Sequence, residues 1–131
     1  MRSFSIPLSV DESAVMPEDW RERLKNHRKL RAGAWHYTKA AQIAPIRTRI
    51  VCRLIRVYSA TKQPLGPENL PKALKSVQDG ICEALYINND SDLIVWEMME
   101  SEEKVGNSVV VQIIDEKDKI YLQSKDPWGN P

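Results

Sequence analysis

Two short acidic elements, separated by one amphipathic stretch, carry the residue types best suited to chemistry. The first is Glu68-Asn69-Leu70 and the second is the run Asn88-Asn89-Asp90-Ser91-Asp92. Carboxylate and amide oxygens are the hard donors that magnesium takes in near-octahedral array, and an ion so held stabilises the attacking and leaving oxygens of a phosphoryl centre. Glu68, Asn89, Asp90 and Asp92 are therefore the candidate metal ligands, with Glu68 and Asp90 as candidate catalytic acids. The set reads as a phosphodiester-cutting site from which acids have been lost. Each member also has a plain structural reading. Glu68 suits a helix N-terminus, where an acid stabilises by ~0.3–1 kcal/mol. Asn88, Asn89 and Asp90 suit a turn, because their side chains tolerate left-handed backbone.

The elements that must position these groups follow from periodicity. Leu70, Ala73, Leu74, Val77, Ile81 and Leu85 recur at helical spacing, with Lys72, Lys75, Asp79 and Glu83 on the other side. Asn69 is the expected N-cap, since Pro71 is tolerated only in a first turn. Thr61 to Pro67 is the loop before this helix. Asp92 to Met99 reads as a strand with Ile94, Trp96 and Met98 on one face. Val109 to Ile114 reads as a buried strand, reached by a turn within Ser101 to Ser108. This order brings the two acidic elements together at one end of a sheet.

Upstream, Phe4, Ile6, Leu8 and Val10 alternate with Ser3, Ser5, Pro7 and Ser9, the period of a half-buried strand in which Pro7 points to an edge. Pro17, Glu18 and Asp19 start a helix over Trp20 to Leu30. Gly33 interrupts it, and a second helical piece with Trp35, Ala40 and Ala41 runs to Gln42 before Pro45. Ile46 to Val57 alternates as a strand, placing Arg47, Arg49 and Arg53 on one face with Val51, Ile55 and Val57. The expected architecture is a small single α/β (α+β) domain over residues 1–123. It holds a mixed four-stranded sheet and two main helices in the order β-α-β-α-β-β, followed by a flexible tail at 124–131.

The formal net charge of +1 conceals a segregation. From Arg23 to Lys62 there are eleven Lys or Arg and no acid, a block of +11, whereas Asp79 to Asp118 carries −9. A cationic half is the footprint of a protein that holds DNA, whose duplex carries a phosphate charge about every 1.7 Å. The plainer reading has the two halves neutralising each other. Arg28, Lys29, Arg31, Arg47, Arg49, Arg53, Lys72 and Lys75 are the candidate phosphate contacts. Lys72 and Lys75 also suit a solvated helix face, with Lys75 pairing Asp79 at i, i+4. Trp35, flanked by His36 and Tyr37, is placed to stack on an unpaired base.

At 131 residues and 42% hydrophobic content, the chain can furnish one core. Cys52 and Cys82 have no metal-site spacing and are expected to be free thiols in a reducing cytoplasm. No run approaches the ~18 apolar residues of a membrane span. No nucleophile stands beside a candidate base, and His27 and His36 have no partners at metal-ligand spacing.

The central stretch resembles phage and prophage proteins of the RusA-like Holliday-junction resolvase family, the crossover junction endodeoxyribonucleases. The family pattern is Asp-x-Asp-Asn-Leu, then Ala-Leu-Lys-x-Val-x-Asp-Gly-Ile, then Leu-Gly-Val-Asp-Asp and a strand with Trp. The matching residues are Glu68-Asn69-Leu70, Ala73-Leu74-Lys75-Ser76-Val77-Gln78-Asp79-Gly80-Ile81, Leu85-Tyr86-Ile87-Asn88-Asn89 and Trp96. The resemblance implies a homodimer that binds branched DNA in recombination and repair and cuts it with Mg2+. It also implies that Lys72 touches the scissile phosphate. Family acids fall on Gly66, Glu68, Asn88 and Asn89, or on Asn89 and Asp90 with the loop shifted by one, so the implied magnesium site is eroded and cleavage impaired. The alternative reading is a non-catalytic regulator or inhibitor on the same fold, contacting a host protein through its acidic half.

Overall fold

The computed structural model describes residues 1–11, 19–104 and 106–116. Its elements are β1 (Arg2–Ile6), α1 (Trp20–Ala40), β2 (Ile50–Ser59), α2 (Gly66–Leu85), β3 (Ile94–Glu103) and β4 (Ser108–Asp115). This is the expected order, a small α/β domain with two helices and a four-stranded mixed sheet. The sheet order is β1-β4-β2-β3. β2 pairs parallel with β3 and antiparallel with β4, and β1 pairs antiparallel with β4 along the edge where Pro7 ends it. The expected start of α1 at Pro17 and Glu18 and the tail 124–131 lie outside the described residues.

Alternation along β2 decides what each sheet face carries. Ile50, Cys52 and Leu54 point to the side where both helices pack. They meet Leu30 and Ala34 of α1 and Leu70, Ala73, Leu74, Val77 and Ile81 of α2 in one core. The two helices run parallel, because contacts between them advance together along both chains: His27 with Ser76, Arg31 with Glu83, Lys39 with Tyr86. They come into tight contact at Gly80, where an added Cβ would stand 2.3 Å from the Arg31 carbonyl oxygen.

Several boundaries differ from expectation: β1 ends at Ile6, before Leu8 and Val10, and β3 runs from Ile94 on to Glu103. α1 passes through Gly33 without a break as one helix of 21 residues. The glycine is a packing residue, since a Cβ there would fall 2.2 Å from Leu8 Cδ1. β2 begins at Ile50 rather than Ile46, so Arg47 and Arg49 precede the strand. α2 begins at Gly66 with no side-chain cap of its own, and Asn69 lies inside it. The cap comes instead from β3, whose Glu100 carboxylate accepts from Leu65 N at 2.8 Å and Gly66 N at 3.3 Å. A residue distant in sequence thus satisfies N–H groups at the start of α2, the capping role expected of Asn69 three residues later.

Candidate nucleic-acid interface

α1 has a buried side made by Leu30, Ala34 and Thr38. Opposite it, at 3.6-residue spacing, stand Arg21, Lys25, Arg28, Ala32, Trp35 and Lys39, with Lys29 alongside. Arg21, Lys25, Arg28 and Lys29 are all exposed. Among the described residues none of the four forms an ion pair with a carboxylate, and Glu22 is the helix's one acid. The stripe from Arg21 to Lys39 is about 27 Å long at 1.5 Å per residue. Sequence reasoning singled out Arg28 and Lys29 but missed Arg21 and Lys25; the cation spacing at 21, 25 and 28 opposite Leu30 and Ala34 is the signal that marks them. Arg31 lies on the flank, where its Nε donates to Glu83 Oε2 at 3.0 Å.

The strand arginines do not form the expected cationic face. Arg53 is only 8% exposed. Its guanidinium donates to Gln112 at 3.3 Å and pairs with Glu97 at 3.5 Å. Those residues are its register neighbours on β4 and β3. A charge flanked on both sides within a sheet is a cross-strand contact, and Arg53 is corrected from phosphate ligand to sheet residue. Arg49 pairs with Glu116 at 3.6 Å, while Arg47 is exposed in the segment leading to β2. Lys72 and Lys75 are exposed on α2, and Lys75 Nζ donates to Asp79 at 2.7 Å, the expected i, i+4 pair.

The acidic elements are likewise placed apart. Glu68 lies in the first turn of α2, while Asn89, Asp90 and Asp92 follow its C-cap at Tyr86. A helix running from Glu68 to Leu85 is about 25 Å long, so the convergence expected of these groups does not occur within one chain. The element order was expected to bring the two acidic elements to one end of the sheet, with the helix between them. A crossover between the parallel strands β2 and β3 must instead carry the chain the full height of the sheet. Asn89 Nδ2 donates to Asp79 Oδ1 at 3.0 Å, which ties that amide to the helix. Glu68, Asp90 and Asp92 are exposed.

The end of the sheet nearest Glu68 holds a different arrangement. Arg56, 2% exposed, donates through Nη1 to Glu100 Oε1 at 2.9 Å and to the Gln63 carbonyl at 3.2 Å, and through Nε to the Val10 carbonyl. This pair joins β2, β3, the segment after β1 and the start of α2, which is the work of a structural tie.

Both cysteines are buried and free. Burial pushes the Cys82 thiol up to about 11, with the Asp79 carboxylate adding to the rise and Lys75 opposing it. Burial, with Cys82 as a lesser cause, raises Cys52 further. Thiols held neutral in this way are poor nucleophiles at physiological pH. No helix of the described residues is long and apolar enough to cross a membrane.

The residues that carry the resemblance to the resolvases are largely those that pack α2. Leu70, Ala73, Leu74, Val77 and Ile81 belong to the core, and Gly80 takes the helix contact. Comparison with protein-family models, with curated proteins and with solved structures finds no match.

Proposed function

We propose that this protein binds DNA through the solvent face of α1, and that branched or locally unpaired DNA is its preferred form. The observation that supports this reading most directly is the row Arg21, Lys25, Arg28 and Lys29, exposed and without carboxylate partners among the described residues, on the side of α1 opposite the core. Unpaired surface cations aligned over about 12 Å of helix offer a positive surface to the phosphates of a nucleic-acid backbone. The preference for branched DNA follows from the likeness of α2 to the RusA-type resolvases, which also suggests a two-fold dimer, since a symmetric junction offers two equivalent arms.

Cleavage is not part of the single-chain reading. Glu68 and the Asp90–Asp92 loop stand at opposite ends of α2, so a magnesium ion shared between them would need two copies of the chain.

Binding to a four-way junction and to a matched duplex, measured across a salt series, tests the proposal. Wild-type protein is expected to bind the junction more tightly, with affinity falling steeply as salt rises. Replacing Lys25, Arg28 and Lys29 together with Gln is expected to weaken binding and to flatten the logarithmic salt slope by about 0.9 for each phosphate no longer neutralised. Equal affinity for the triple variant removes α1 as the interface. Absence of binding to any nucleic acid removes the reading and favours a protein partner.

A further inference from the structure

The C-terminal ends of α1 and α2 meet beside a cleft of about 450 Å³. Its walls are mostly apolar, from Ile43, Ala44, Ile46, Leu85 and Ile87, and its rim carries Lys39, Gln42 and Tyr86. Tyr86 is 84% exposed, and Trp35, one helix turn before Lys39, is 40% exposed. The Lys39 ammonium lies 4.1 Å from the centre of the Tyr86 ring and 6.0 Å from that of Trp35, and donates to Tyr86 Oη at 2.9 Å. Two large aromatic surfaces are therefore held in water around one cation, at the end of the basic stripe.

Backbone geometry adds an independent observation. Gln42 and Tyr86 have φ of 52° and 57°, and among the described residues they are the two non-glycine positions in the left-handed region. Both stand just past helix ends, where glycine is the usual occupant, and both line this cleft. A tyrosine at such a position is strained backbone spent on placing a ring in solvent, the pattern found at binding sites.

We propose that this cleft receives an unpaired nucleobase stacked on Tyr86, while Lys39 contacts the phosphate of the extruded nucleotide and Trp35, outside the cleft beside Lys39, stacks on the neighbouring base. The proposal rests on the DNA-binding reading of α1 and specifies what lies at the end of its stripe. The cleft interior is apolar, and the negative ends of two parallel helices border it, which disfavours a phosphate inside and suits a neutral base. Aromatic faces take any base by stacking. The cations of α1 run the backbone of the nucleic acid toward this point.

The test uses two duplexes of equal length, one fully paired and one carrying a single bulged 2-aminopurine, whose emission falls on stacking. Wild-type protein is expected to bind the bulged duplex about tenfold more tightly than the paired one, with quenching of the probe. Tyr86→Ala is expected to lose that preference and the quenching while keeping paired-duplex affinity within about twofold, and Trp35→Ala is expected to reduce both the preference and the quenching. Both side chains are at the surface, and unchanged thermal unfolding confirms that the variants fold. Equal binding of the two duplexes by wild type, or undiminished quenching by both variants, overturns the base site while leaving the α1 interface standing. The cleft then becomes a place for an apolar side chain of a protein. Loss of all DNA binding by wild type overturns both readings.

Discussion

Arg56 on β2 and Glu100 on β3 are direct register partners, and their side chains meet at 2.9 Å on the helix side of the sheet. Glu100 also receives the N–H groups of Leu65 and Gly66, so one carboxylate neutralises a buried guanidinium and caps α2. Removing its charge leaves Arg56 buried without compensation, a change that costs about 3–5 kcal/mol in comparable pairs. Glu100→Gln is expected to lower the chemical-denaturation midpoint strongly. The double variant Arg56→Met with Glu100→Met is expected to recover part of the loss, though not the cap. Denaturation curves of the three proteins measure this, and an unshifted midpoint for Glu100→Gln shows that the pair is not structural.

The helix contact at Gly80 makes a second prediction. A methyl group there would lie 2.3 Å from the backbone carbonyl of Arg31 and 2.7 Å from Ala34 Cβ, neither of which can rotate away. Overpacking of a closed contact costs about 1–3 kcal/mol, more than the helix propensity gained by replacing glycine, about 1 kcal/mol. Gly80→Ala is therefore expected to destabilise the protein, the opposite of its effect on an exposed helix, and thermal unfolding decides the sign.

Much of the architecture was legible because it rests on periodicity. Leu70, Ala73, Leu74, Val77 and Ile81 define the packed face of α2, and the alternation Ile50, Cys52, Leu54 identifies the helix side of β2. What could not be read were contacts made between distant segments. Glu100 replaces Asn69 at the start of α2, Leu8 explains Gly33 without a helix break, and Gln112 and Glu97 occupy Arg53 from both neighbouring strands. The same limit applies to the site. Charge density pointed to the basic half, but only the rotation of α1 about its axis separates the exposed Lys25 and Arg28 from Arg31, which pairs with Glu83.

Arg53 and Arg28 should accordingly respond differently to the same substitution. Arg53→Gln removes a buried group held by Gln112 and Glu97 and leaves Glu97 without that ion pair. It is expected to cost stability while leaving DNA affinity of the folded protein unchanged. Arg28→Gln is expected to weaken DNA binding with stability altered by less than about 0.5 kcal/mol, as for other surface positions. Paired unfolding and binding measurements on the two variants separate the roles, and a folded Arg53→Gln protein with weakened affinity would return the strand arginines to the interface.

The thiols give a pH dependence with a definite sign. Cys82 has its folded value raised from 9.0 to about 11, and Cys52 is raised as well. Above pH about 9 the unfolded chain releases thiol protons that the folded chain retains, so the unfolded state binds fewer protons and stability falls as pH rises. The contribution is fully present below pH 9 and declines by about 1.4 kcal/mol per pH unit for each thiol until its folded value is passed. Urea midpoints of wild type and of Cys52→Ala with Cys82→Ala, compared from pH 7 to 10, are expected to diverge only above about 9. Parallel curves over the whole range contradict the burial of the thiols. Neither thiol is expected to react with Ellman's reagent in the folded protein at pH 7.

Magnesium provides the sharpest test of what the acidic residues do. Introducing carboxylates by Gly66→Asp, Asn88→Asp and Asn89→Asp adds charge at both ends of α2, but about 25 Å of helix keeps the two ends from a common ion. Gly66 also has φ of 82°, a conformation that costs an aspartate about 1–2 kcal/mol. The triple variant is therefore expected to be less stable than wild type and to show no gain in magnesium affinity as a monomer, measured by calorimetry at low protein concentration. Two copies arranged so that Glu68 of one faces the Asp90 loop of the other escape this argument, and their signature is distinct. Magnesium affinity would rise with protein concentration, and Glu68→Gln and Asp90→Asn would each abolish it. Tight binding of one ion per chain at concentrations where the protein is monomeric, abolished by Glu68→Gln as well as by Asp90→Asn, would show that the two acidic elements meet within a single chain, against the placement of α2 between them.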